Sequence, residues 1–283
     1  MSAVATTEGA RLDLRRSRRT RRLLIAATLV TVSILLLIPL LGILWTALEP
    51  GLSVITDTLE QPDVQHAFKL TLIITVITVV VTGVFGVIVA WVLVRQRFVG
   101  RSFLNALVDL PFALSPVTVG LACVLLFGAG GWFEGFFSAR GIQIVFALPS
   151  MILVTIFISI PFVIREVQPV LEEVGVDEED AARTLGASVW QSFRKVTIPN
   201  IRWGLLYGVA LSAARAIGEI GAVLVVSGLI QGQTETATLY IFRALEERQT
   251  PSAYVVALLL ALTSVVLLGA IEFAKRRIGR ETP

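Results

Sequence analysis

Six stretches of this chain run for more than twenty residues with few or no charges, and that feature limits its fold more than any other. As helix at about 1.5 Å per residue, each covers the roughly 30 Å of hydrocarbon in a bilayer. The tract LIITVITVVVTGVFGVIVAWVLV has no alternation of polar and apolar residues, which a barrel strand of about ten residues would show. The expectation is an all-α polytopic membrane protein. Only 16% of the 283 residues are charged, against about 25% in soluble domains.

The runs and their breakers place six spans at about 23–48, 70–94, 104–127, 143–164, 204–230 and 253–273. The first follows RRSRRTRR and is too long for a signal-peptide core, so it reads as a retained helix. With the N-terminus in the cytoplasm, 19 of the 24 Lys and Arg residues fall inside, in 1–22, 95–103, 165–203 and 274–283. Only Lys69, Arg140, Arg243 and Arg248 fall outside, and Arg215 lies within a span. This asymmetry puts both termini in the cytoplasm. The Arg-rich segment 1–22 then sets topology and meets anionic lipid headgroups rather than nucleic acid.

Composition also excludes several chemistries. The lone Cys123 permits neither an intrachain disulfide nor a four-cysteine metal site, and the lone His66 leaves no HExxH zinc motif. None of Lys69, Lys195 and Lys275 follows a glycine, so the phosphate-cradling GxxxxGK[ST] loop is absent. No Ser/His/Asp spacing suggests a hydrolase. The chain is expected to hold no catalytic residue, metal or cofactor of its own.

The segment 165–203 is long and polar for a connection between membrane helices, which points to a function. Asp177, Glu178, Glu179 and Asp180 would complement a helix N-terminus. Beyond them Ala182, Leu185, Gly186, Val189, Trp190 and Phe193 recur at spacings of three and four, so a short helix would present one apolar face. That face would either lie at the headgroups or receive another protein.

The order Asp180-Ala181-Ala182, three residues, Gly186, nine residues, then Val196-Thr197-Ile198-Pro199 resembles the EAA loop of binding-protein-dependent ABC importer permeases, with Asp in place of Glu. In that family the loop is the coupling helix that docks on the ATPase, and the resemblance implies that role for Asp180, Ala181, Ala182, Leu185 and Gly186, with Pro199 closing the pattern. DLPFALSPVTVGLACVLLFGAGGW at 109–132 and ARAIGEIGAVLVVSGLIQGQTETATLYIF at 214–242 are similar to sulfate/thiosulfate importer permeases of the W type, and more weakly to molybdate permeases. The resemblance implies a type I ABC importer bundle in a bacterial cytoplasmic membrane. It also implies a heterodimer with a T-type permease, two ATPase subunits that bind ATP and magnesium, and an external sulfate-binding protein. A gradient-driven transporter is the rival reading; it would be expected to show several intramembrane acids, and only Glu219 lies well inside a span.

Arg215 and Glu219 fall near the middle of the fifth span, four residues apart, where each unpaired charge costs roughly 2.5–3.5 kcal/mol. On a continuous helix they would pair, and Gly218 and Gly221 would admit a second backbone. The pair either packs helices together or lines the translocation path or its gate. Pro111, Pro116 and Gly120 mark a kink or a broken helix in the third span. Asp109 is expected as a polar group near the start of that span, and LYIFRALEERQ as a short helix outside the membrane.

Overall fold

The computed structural model describes residues 3–278, with side chains from Thr20 onward except at 268, 271, 272 and 274–278. The side chains of the Arg-rich segment up to residue 19, and residues 279–283 of the C-terminal tail, lie outside the described residues. All regular elements among the described residues are helical. They are α1 (Ala3–Leu48), α2 (Ser53–Glu60), α3 (Pro62–Arg95), α4 (Arg101–Ala113), α5 (Pro116–Phe127), α6 (Glu134–Ser138), α7 (Leu148–Val174) and α8 (Asp177–Thr184). After them come α9 (Val189–Ser192), a π-helical turn (Phe193–Thr197), α10 (Ile198–Ile217), α11 (Gly221–Val226), α12 (Ala237–Glu246) and α13 (Thr250–Ile278).

Two of the six expected spans are interrupted. The third divides into α4 and α5, whose axes bend by 110°. Leu114 and Ser115 are both extended, because a residue before proline avoids the α region, and Pro116 then starts a new helix. This is a true break rather than a kink. The fifth span begins earlier than expected, at Ile198, and ends at Ile217; after Gly218–Ile220 the short α11 resumes. Among the described residues, four helices are long and apolar enough to cross a membrane, five if α4 with α5 counts as one span. The fourth span also differs from expectation: α7 runs on to Val174, carrying Pro161 and Pro169 within it.

The core forms around α3, α7 and α10. Their ends toward Leu93, Leu171 and Ile201 share one apolar cluster with Val108 of α4. Leu70, Ile74, Met151 and Val154 form another with α5 and α11, and the start of α3 packs with α12 and α13 through Val64, Tyr240 and Val256. Glycines set the closest approaches. A Cβ on Gly208 would lie 2.8 Å from the Val163 Cα, and one on Gly204 2.7 Å from the Glu166 carbonyl oxygen, so α10 meets α7 backbone to backbone. This is a G-x-x-x-G contact. Gly86 of α3 instead makes room for a side chain: a Cβ there would lie 2.7 Å from the Val163 Cγ1. Helices this close also exchange hydroxyl hydrogen bonds: Thr82 pairs with Ser212 at 2.9 Å, and Thr71 accepts from the Ala237 amide at 2.9 Å.

α1 stands apart. It packs chiefly along α13, and its apolar residues from Leu23 to Leu41 remain exposed, which suits contact with lipid or another membrane helix.

Candidate functional site

The segment beyond α7 folds into a short helix that stands off the bundle. Four acids fill the first turn of α8 and Arg183 the last, which suits the helix dipole. The helix stops in a Schellman turn: the Ala187 amide donates to the Ala182 carbonyl at 3.0 Å and the Gly186 amide to the Arg183 carbonyl at 2.9 Å. Gly186 sits at φ +90°, a conformation other residues adopt only with strain. The chain then turns, and Ser188 with Gln191 forms a capping box that starts α9. The apolar repeat from Ala182 to Phe193 is therefore not one continuous helix, because a glycine in the left-handed region ends α8 inside it.

Most of the residues named above for docking are exposed on or just beyond α8. Leu185 is 89% exposed, and Asp180, Ala181 and Gly186 are exposed beside it. Ala182 is half-buried, and Pro199 lies exposed in the first turn of α10, off α8. Asp180 reaches only Arg183, at 3.8 Å. Sequence reasoning missed its neighbour Glu179, which turns inward. The Glu179 Oε1 accepts from Arg95 at 3.2 and 3.3 Å and from the Thr197 hydroxyl at 3.0 Å. Arg95 also donates to the Leu171 carbonyl at 2.9 Å and to the Gly175 carbonyl. No local pattern announces a pair 84 residues apart.

The second site lies where the two interrupted spans meet. Arg215 and Glu219 pair at 2.6 Å, as the spacing suggested, but across the end of α10 rather than along a helix. The Glu219 side chain is 2% exposed. Its Oε1 accepts from the Ala222 amide at 2.8 Å and so caps α11, while Oε2 takes the Arg215 charge off the hydrogen-bond axis. Arg215 occupies the last turn of α10, where a cation complements the carbonyl end. The expected close approach falls to Gly221, whose Cβ would lie 2.9 Å from the Pro116 Cβ, and to Gly120, which faces the Ala222 carbonyl. A Cβ on Gly218 would make only an ordinary contact, 3.6 Å from the Ala214 carbonyl oxygen; its contribution is the end of α10.

Other polar positions are engaged structurally. Asp109 and Arg165 form a bidentate pair at 2.6 and 2.8 Å between α4 and α7. His66 contacts the Gln233 carbonyl at 3.2 Å. The expected outer helix is α12, where Arg243 pairs with the buried Glu235; that hydrogen bond holds the guanidinium above its ordinary pKa.

Residues 82–280 match the family of binding-protein-dependent transport system inner membrane components. The sulfate transport system permease protein CysW of Synechocystis is 44% identical over 268 residues, 95% of this chain and 97% of that protein. The sulfate transport system permease protein CysT of Salmonella typhimurium is 40% identical over 256 residues, 90% and 92% of the two chains. In fold, the chain is similar to the crystal structure of a bacterial ABC transporter that imports the acidic polysaccharide alginate. The TM-score is 0.77 at 18% identity, covering 94% of this chain and 98% of that one.

Proposed function

Because this chain belongs to the binding-protein-dependent transport system inner membrane components, we propose that it is a permease subunit of an ATP-driven sulfate importer in the cytoplasmic membrane. The observation that carries the substrate is the 44% identity to CysW across 95% of the chain. Similarity to both CysW and CysT supports a pairing with a second, T-type permease, each chain supplying half of the path. An external binding protein delivers sulfate, and thiosulfate with it. Two ATPase subunits, which bind ATP and magnesium, drive the cycle from the cytoplasm, where both termini of this chain also lie.

In this reading 165–203 is the coupling loop. The exposed Leu185 enters a groove on the ATPase, and closure of the ATPase dimer displaces α8 and rocks the two bundles. The path itself holds the anion weakly. Within the expected spans 70–94, 104–127, 143–164, 204–230 and 253–273 Arg215 is the only basic residue, and Glu219 takes up its charge. Conduction requires binding that also lets go, so selectivity rests with the binding protein.

The test is ATP-dependent uptake of labelled sulfate by vesicles holding both permeases, the ATPase and the binding protein. Leu185→Asp places a charge in the docking contact without straining the backbone, as any side chain at Gly186 would. Uptake should fall at least about tenfold, the loss expected on truncating a central interface anchor, with the permease itself still folded. Uptake that persists without the ATPase would mean a gradient-driven carrier. ATP-driven uptake of molybdate in place of sulfate would assign another oxyanion.

A further inference from the structure

We infer that Arg95 and Glu179 are positioning residues that latch the coupling helix to the membrane bundle, so that α8 moves as one body with the adjoining ends of α3, α7 and α10. The inference rests on the importer reading and assigns the element that transmits the motion. α8 is only eight residues long and packs chiefly on α9 and the π-helical turn. Glycines with positive φ flank it, Gly175 at +69° and Gly186 at +90°. Such a helix would swing between two flexible points if nothing else held it.

One guanidinium supplies the hold. Arg95 ends α3; its Nη1 and Nη2 donate to the Leu171 and Gly175 carbonyls and so cap α7, and its Nε and Nη2 donate to the Glu179 carboxylate of α8. Through the Thr197 hydroxyl the same carboxylate oxygen reaches the turn that leads into α10. The two side chains are only 7% and 6% exposed, so the pair is screened from water and each charge depends on the other. The planar fork of arginine allows four acceptor contacts in one fixed geometry. The close approaches at Gly204 and Gly208, backbone to backbone with α7, and at Gly86, onto the Val163 side chain, already lock α3, α7 and α10 together, so a push received at Leu185 reaches all three helices.

The test uses the full complex in vesicles. Glu179→Gln keeps the shape and an acceptor for Thr197 but removes the charge. We expect normal assembly, ATP hydrolysis within about twofold of the unaltered complex, and sulfate imported per ATP hydrolysed reduced at least about tenfold. Glu179→Asp, which keeps the charge, should restore part of that ratio. Assembly, hydrolysis and import falling together would mean a role in folding alone and would overturn the latch, as would an unchanged ratio. A second readout does not depend on the cargo. Spin labels on Asp177→Cys and Arg97→Cys, in a Cys123→Ser chain, should report one narrow distance with and without ATP, and a broadened or ATP-dependent distance once Glu179→Gln is added. A distance that stays narrow in both chains overturns the proposal. If the unaltered complex hydrolyses ATP without importing sulfate, the substrate reading fails, and the spin-label comparison still decides the latch.

Discussion

Glu219→Leu should lower the stability of the chain in detergent by about 3–5 kcal/mol, the loss expected when one member of a buried ion pair is removed. The carboxylate does two things at the meeting of the interrupted spans: it neutralises Arg215 at 2.6 Å and accepts the Ala222 amide at 2.8 Å. Leucine leaves both without a partner. Arg215 is itself 29% exposed, which places the expected loss toward the lower end of that range. The double variant Arg215→Met with Glu219→Gln removes the charges together and retains an acceptor for Ala222, so it should recover to within about 1 kcal/mol of the unaltered chain. Tryptophan fluorescence during denaturant unfolding measures all three. Equal losses in the single and double variants would show that shape, rather than charge, governs this position.

Gly208→Val should be comparably damaging, at about 3 kcal/mol. The new Cβ would stand 2.8 Å from the Val163 Cα and 3.2 Å from the Phe162 carbonyl oxygen. Neither neighbour is a flexible side-chain end, so α10 must part from α7 along the whole G-x-x-x-G face. Gly218→Ala is the contrast. Its nearest crowding atom is 3.6 Å away and its φ is −91°, so the change should stay within about 0.5 kcal/mol. Unfolding of the two variants in the same detergent checks the ranking; similar losses would remove the backbone-contact explanation.

The contrast between these two glycines shows what the sequence made legible. The runs 70–94 and 253–273 each fall within a single helix, α3 and α13, because nothing in them asks the backbone to leave the helix. The same counting passed over Ser115–Pro116 and Gly218–Ile220, since hydropathy carries no information about φ and ψ; Pro116 was visible but suggested a kink sooner than a break. At α8 the spacing of Asp180, Ala181, Ala182 and Gly186 was readable, yet periodicity alone carried the helix through Gly186 to Phe193. The G-x-x-x-G spacing of Gly204 and Gly208 was readable too, but Gly218 and Gly221, beside the charged pair, were the expected contact points. Arg95 and Glu179 were not readable at all, because their partnership exists only once α3, α7 and α8 are packed.

The isolation of α1 bears on the order in which the protein is made. Its main helical neighbour, α13, is translated after every other helix, so α1 enters the bilayer without that neighbour until synthesis reaches Thr250. A helix in that position must be stable as a lone insertion, and its 29 residues from Thr20 to Leu48 have the hydropathy for it. The helices from α3 to α12 are complete in the meantime, and α1 gains its place along α13 only at the end of synthesis.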